Sequence, residues 1–346
     1  MSFVPEKLPL KSLNKTLFSH QLRKADKALH AFDKLLQTAP KPQLLFSSLS
    51  YLESLAALES QKIFSPLEDF LLLSHKHSHK KKKLIPIICY HTALKRACRS
   101  IYTTTLSKDL ICKAHNIIKK GAPRPYEVGH YRTKQNWIGP EGCTREEASF
   151  FPPAHTLLNS TMRNLLSYCN SRKRKDPLLH VAIAVAQFLI LHPFMDGNGR
   201  VGRILVPLLF YKQGILSHPL LFFSRYLKDH RRAYFRRLFA ITGQHQWEQW
   251  VLFFSKGVVS ELKKEQKKAE QIYKLYQKLH AKLQPQSGYL FFLFSQPLFS
   301  RAQFLKRYSR PLLRQLESHN IITPYKKSYY TFAPLLKILK NKSPER

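Results

Sequence analysis

The chain has 346 residues, with 58 Lys and Arg against 21 Asp and Glu, a formal net charge of +37. That length allows about two domains and a sizeable core, and the 44% hydrophobic content is ordinary for a globular protein. The charge draws polyanions, so nucleic acid, an anionic membrane face or an acidic protein is an expected neighbour, unless it serves solubility alone. Cys89, Cys98, Cys112, Cys143 and Cys169 are scattered, without a C-x-x-C pair, which argues against a disulfide frame or a zinc site. The first fifteen residues hold no long apolar segment. The longest apolar stretch, Val181–Leu191, is broken by Gln187 and is too short to span a bilayer. A soluble, cytoplasmic chain is expected.

Along the chain, a helix is predicted over Ser19–Thr38, ending before Pro40. Phe46–Leu73 reads as helix, with Leu49, Leu52, Leu55 and Leu58 at helical spacing. The run "SHKHSHKKKK", Ser74–Lys83, reads as a solvated loop; a metal site on His75, His77 and His79 is the lesser alternative. Helices follow over Pro86–Ser100 and Leu106–Lys119. "GHYRTKQNWIGP", Gly129–Pro140, alternates polar and aromatic residues between turn signals, which predicts a short β-hairpin. A Pro-started helix carries Leu157, Leu158, Met162, Leu165 and Leu166 on one face. "SRKRKD" is a basic loop, and Pro177–His192 is the most apolar helix, hence the central one. Later helices are predicted over Arg200–Gln213, Tyr226–Ile241 and Gln246–Phe254, then a long polar one to Leu283. "QPQSG", Gln284–Gly288, marks a boundary. Beyond it come helices at Tyr289–Phe294, Ser300–Tyr308 and Arg310–His319 and then two short strands, the order of a winged helix-turn-helix.

One stretch, "HPFMDGNGRVGR" (His192–Arg203), concentrates chemistry. Pro193 cannot extend the helix before it, so His192 sits at a helix end, where a neutral imidazole can act as a general base. Phe194 anchors the loop in the core. Asp196 is a hard oxygen ligand suited to Mg²⁺ on phosphates. Gly197, Asn198 and Gly199 allow left-handed torsions and an inward-facing anion nest. A helix starting near Arg200 adds its N-terminal partial charge, and Arg200 and Arg203 share its first turn and can fork onto phosphate oxygens. Singly, each feature has an ordinary structural reading; in one register they describe a triphosphate site with a base beside it.

The stretch resembles the motif of the Fic (filamentation induced by cAMP) family, H-x-F-x-[DE]-G-N-G-R-x-x-R, at every specified position. The resemblance spans roughly Phe46–Val259, and the tail is similar to the winged-helix module many members carry. It implies an all-α core with a short β-hairpin flap plus a small C-terminal winged helix-turn-helix domain. It divides the chain into residues 1–84, a catalytic core 85–283, and 285–346. It implies transfer of AMP from ATP, with Mg²⁺, to a Ser, Thr or Tyr hydroxyl of a target protein or of the chain itself. His192 would be the base and Asp196 the metal ligand. Phe194, Gly197, Asn198, Gly199, Arg200, Arg203 and Tyr234 would form the nucleotide site, with Phe235 where the family often has a second tyrosine. The flap, through Tyr131, Arg132, Asn136 and Trp137, would dock the target. Many relatives carry an inhibitory glutamate that pairs with the second motif arginine. "LAALES" offers Glu59 for that role with two of three positions off pattern, and Glu53 is the fallback. In the tail, Arg310, Arg314 and Gln315 would face bases, and Lys326 and Lys327 phosphates. A de-AMPylating or other Fic-type transferase, or a DNA-binding regulator whose core only senses nucleotide, is the alternative. A homodimer is left open.

Overall fold

A computed structural model of the chain describes residues 3–39, 41–73, 84–120, 128–139, 142–171, 176–283, 288–326 and 328–341. The His/Lys-rich run 74–83, residues 172–175 of the basic loop, residues 284–287 of the boundary, and Lys327 lie outside the described residues. Among the described residues, eleven α-helices precede the boundary: α1 (Ser19–Thr38), α2 (Pro42–Glu59), α3 (Leu67–Leu73), α4 (Ile85–Ser100), α5 (Lys108–Lys119), α6 (Leu158–Asn170), α7 (Pro177–Leu191), α8 (Asn198–Lys212), α9 (Ser224–Asp229), α10 (Arg231–Gln244) and α11 (Trp247–Leu283).

Every residue of α7 from Leu178 to Leu191 is buried. A helix apolar all round must be enclosed, and α6, α8, α10, α11 and α1 pack around it. Trp250 of α11, fully buried, donates its indole N–H to the Ala182 carbonyl at 2.8 Å. The expected break inside α11 does not occur, and the helix runs without interruption for 37 residues. Gly257, the residue that could weaken it, is where the rings of Phe223 and Tyr226 press in: an added Cβ would lie 2.5 Å from each. Among the described residues no helix is long and apolar enough to cross a membrane.

Three further expectations are corrected. Phe46–Leu73 is two helices, because Lys62 adopts a left-handed φ of +59° and Ser65–Pro66 follow. Tyr226–Ile241 is also two, broken at His230, which caps α9 and starts α10. The hairpin at 129–138 is absent: one antiparallel bridge, Ile138 to Phe150, is the strand-like pairing there. The alternation that suggested strands reflects inward-facing side chains, which are described below.

After the boundary come α12 (Gly288–Ser295), β1 (Leu298–Ser300), α13 (Arg301–Leu305), α14 (Arg310–Ser318), β2 (Thr323–Tyr325), β3 (Tyr329–Thr331) and α15 (Ala333–Lys340). The strands form an antiparallel sheet in the order β1-β3-β2, with Leu298 and Thr323 both opposite Thr331. The sequence reading placed no strand at β1; three residues before a helix carry too little pattern to declare one. Phe294, Phe299, Phe304 and Phe332 fill this unit's core. It packs on α2 and α11. The Tyr51 hydroxyl donates to the Ser295 carbonyl at 3.0 Å, and Lys268 Nζ donates to the Asn341 and Ile338 carbonyls at 2.8 and 3.1 Å.

Candidate active site

The loop between α7 and α8 is fastened both by its own atoms and by Arg132, Asn136 and His115. His192 ends α7 with a left-handed φ of +48° and ψ of 59°. Such torsions cost a non-glycine residue about 1–3 kcal/mol and need outside support. Arg132 supplies it, donating Nε to the His192 carbonyl at 3.0 Å and its backbone N–H to the Pro193 carbonyl at 2.8 Å. Phe194 is fully buried and stacks on the His115 ring, centroids 3.8 Å apart. Burial of that size stabilises by about 1.5–3 kcal/mol. Asn198 closes the loop on itself: its Oδ1 accepts from the Phe194 N–H at 2.9 Å and its Nδ2 donates to the Phe194 carbonyl at 2.7 Å. Gly197 has φ of +88°, and a Cβ there would stand 3.3 Å from the His115 ring. Both facts reserve the position for glycine.

The ring of His192 donates from Nδ1 to the Leu189 carbonyl at 3.2 Å, since a carbonyl can only accept. Nε2 therefore carries the lone pair. Burial pushes the imidazole pKa down to about 4, outweighing the Leu189 hydrogen bond, so the ring is neutral near pH 7. Asp196 is opposite in character. Burial alone would raise its pKa, but Arg200 and Lys119 outweigh that and hold it at about 2. Its Oδ2 lies 2.6 Å from Lys119 Nζ and 3.0 Å from Arg200 Nη2, and Oδ1 accepts from the Gly197 N–H at 2.5 Å.

His192, Asp196, Gly199, Arg200, Arg203, Tyr234 and Phe235 line one cleft of about 990 Å³. Seven Lys or Arg residues line it against only Glu59 and Asp196, an excess suited to a highly charged anion. The first amides of α8, which have no intrahelical partner, open beside Gly199.

Several expected residues lie elsewhere. Phe194 is an anchor and is sealed from the cleft. Asn198 is 1% exposed, and both ends of its amide are spent on Phe194, so its side chain holds the loop in shape. In the flap, Tyr131, Arg132 and Asn136 are buried. Tyr131 packs edge-on against Phe194, Arg132 also donates to the Lys134 and Pro153 carbonyls, and Asn136 Nδ2 donates to the Phe194 carbonyl at 3.0 Å. Of the four, only Trp137 is exposed. These side chains brace the His192–Arg203 loop, and His130, Thr133, Lys134 and Trp137 stand exposed in the segment.

Glu59, the first candidate for the glutamate on Arg203, is engaged elsewhere: it pairs with Lys228 at 2.7 Å. Arg203 donates instead to the Ala57 carbonyl at 3.2 Å, and Arg231 to the Ser60 carbonyl at 3.2 Å. The last turn of α2 thus engages three cleft cations. Glu53, the fallback, is buried, accepts from Tyr90 at 2.7 Å and from Ser224, and feels the positive charge of Arg203; burial outweighs these and pushes its pKa up to about 7.

Two residues carried no sequence signal. His115 accepts the Gly129 N–H at Nδ1 (3.0 Å) and donates Nε2–H to the Asp196 carbonyl (2.9 Å), joining the flap to the loop. Lys119 is the other. Both matter only through partners far along the chain, which no local pattern encodes. In the tail, Arg310, Arg314 and Gln315 are exposed on α14, and Lys326 is exposed in the β2–β3 turn with its ammonium 5.2 Å from the Tyr325 ring centre.

Residues 105–210 match the Fic/DOC family model, and the motif lies inside that match. The chain is 31% identical over 111 residues to a protein adenylyltransferase of Caenorhabditis briggsae, covering 32% of this chain and 20% of that protein. It is 27% identical over 182 residues to a probable protein adenylyltransferase of Aquifex aeolicus, covering 50% of this chain and 52% of the other. It spans between a fifth and about half the length of these relatives. A crystal structure of a Fic family protein from Desulfovibrio desulfuricans superimposes with a TM-score of 0.58 at 16% identity, over 97% of this chain and 99% of that one. Caenorhabditis elegans Fic-1 gives 0.55 at 18%, over 72% and 73%. With the motif, the fold and the family match in agreement, the chain carries a Fic domain over residues 105–210.

Proposed function

We propose that the cleft transfers AMP from ATP to a Ser, Thr or Tyr hydroxyl of a protein target or of the chain itself. The observation that carries this reading is a neutral His192, lone pair on Nε2, in the same cation-rich cleft as an ionised Asp196. The names of the similar proteins point the same way.

His192 Nε2 takes the hydroxyl proton. The oxygen forms a bond to the α-phosphorus, the bond from that phosphorus to the β-phosphate oxygen breaks, and pyrophosphate leaves. Such a step needs positioning and charge neutralisation above all. Arg200, Arg203 and the α8 amides hold the phosphates, and Tyr234 and Phe235 flank the base. Asp196 fits a Mg²⁺ ion carried in with the nucleotide: one exposed carboxylate in a phosphate-sized cleft is the donor that such an ion takes from a protein. When bound, that ion neutralises phosphate charge. The target lies along the flap main chain, with Trp137 against it. The last turn of α2 restrains the site by holding Arg203, Lys228 and Arg231. We place the activity in the cytoplasm, in keeping with five unpaired cysteines.

The test is transfer from ATP labelled at the α- or the γ-phosphate. Label retained on protein from the α-position only, with pyrophosphate released, is expected; label from the γ-position would contradict the reading.

We further infer that residues 285–346 form a winged helix-turn-helix that touches duplex DNA. Leu313 and Leu316 seat α14 while Arg310 and Arg314 face outward on it, with Lys326 in the adjoining turn. The division into residues 1–84, 85–283 and 285–346 is kept as part of this reading. Affinity measured over a salt series should fall with a log–log slope of about −0.9 per phosphate contacted. Arg314→Ala should weaken sequence preference and Lys326→Ala should weaken all sequences alike. Equal DNA binding by an Arg310→Ala, Arg314→Ala, Lys326→Ala triple variant would assign the tail to protein docking.

A further inference from the structure

Helix α5 holds Asp196 twice. His115 ties its carbonyl at 2.9 Å, and Lys119, one turn further along the same face, ties its carboxylate at 2.6 Å. The Lys119 side chain is 13% exposed while that of Asp196 is 61% exposed. Most of the Lys119 side chain is thus enclosed, while both it and Asp196 line the cleft. Arg200 lies 3.0 Å from the same oxygen. Two fixed cations therefore already sit on the carboxylate to which a phosphate-bridging ion would be directed.

We propose that Lys119 is a built-in cation at that position, so that the cleft takes a nucleoside triphosphate with its ammonium against the phosphates and with weak dependence on divalent metal for binding. This rests on the nucleotide reading of the cleft. A lysine ammonium is a point charge well suited to phosphate oxygens. The largely enclosed side chain and its 2.6 Å pair with Asp196 fix its place before ligand arrives, so little ordering cost falls on binding. A magnesium ion gives up its own water reluctantly and must share or displace Lys119 to reach Asp196.

The experiment is calorimetric titration of ATP into the full chain, in EDTA and in magnesium chloride. It reads the ratio of the two dissociation constants. The wild type should give a ratio within about threefold of one. Lys119→Met and Lys119→Gln should each raise the ratio about tenfold, because the lost charge-assisted contact is missed most where no metal replaces it. Lys119→Arg, which keeps the charge, should stay near the wild-type ratio. Using two neutral variants guards against one that folds poorly. An equal ratio in the wild type and both neutral variants would overturn the proposal and leave the nucleotide reading standing. ATP bound by none of the proteins under either condition would overturn both.

Discussion

The cleft has two walls of different origin. One is the loop His192–Arg203, which supplies part of its own support, Asn198 on Phe194, His192 on Leu189 and Asp196 on Arg200, and takes the rest from Arg132, Asn136, His115 and Lys119. The other is assembled from distant elements: the end of α2, whose Ala57 meets Arg203 across 146 positions, and α5 and α10. The first wall has its side chains written in twelve consecutive residues. The second exists only once the helices have packed. The first carries His192 and Asp196; the second sets how the cations around them are occupied.

The largest expected effect falls on the first wall. His192→Ala should lower the transfer rate by about 10²–10⁴-fold while ATP affinity measured by calorimetry changes little, because the ring supplies proton abstraction and the arginines and amides supply binding. A transfer rate near wild type in that variant would remove His192 from the chemistry.

The pH dependence sharpens the same point. Burial lowers the His192 pKa to about 4, so the neutral base is present above that value and lost as pH falls through it. Rates should be flat between about pH 5.5 and 8, then fall about tenfold per pH unit below 4. An acid limb centred near the ordinary histidine value would show that the ring is solvated in the working enzyme.

Asn198→Ala tests whether the loop supports itself. It leaves the buried N–H of Phe194 without its partner, at a cost of about 1–3 kcal/mol. Thermal stability and ATP affinity should fall together, although the side chain is 1% exposed and does not reach the cleft. Lost affinity at unchanged stability would mean that Asn198 turns outward to hold ligand.

The smallest effect concerns the second wall. Glu59→Gly removes a pair with Lys228 whose side chains are 29% and 34% exposed. Pairs of that exposure contribute about 0–1 kcal/mol, so automodification should rise about fivefold at most. A gain far above that would mean that Glu59 reaches Arg203 in solution. No gain would leave the restraint with the backbone carbonyls of Ala57 and Ser60.

What was legible in the sequence follows the same division. Ser19–Thr38 and the central helix at Pro177 could be read from periodicity and proline placement, and the motif from its spacing. Burial direction could not. Tyr131, Arg132 and Asn136 look like a solvent-facing strand in sequence, yet each turns inward because the strained His192–Phe194 backbone needs donors and packing there. Asn198 looks like a ligand residue until its amide is found closed on Phe194. Glu59 lies next to the right turn, but the helix end presents its carbonyls to Arg203 and its carboxylate to Lys228. Lys119 and His115 read as ordinary members of an amphipathic helix, because their significance lies in Asp196, about eighty residues on.

The most direct measurement is mass spectrometry of the purified full chain after incubation with ATP and magnesium, beside His192→Ala treated identically. The expected result is an added AMP on a Ser, Thr or Tyr hydroxyl of the wild type that is missing from the alanine variant. An equal AMP adduct on both proteins, or a transferred phosphate in place of AMP, would contradict the assignment of His192 as the base of an AMP-transferring cleft.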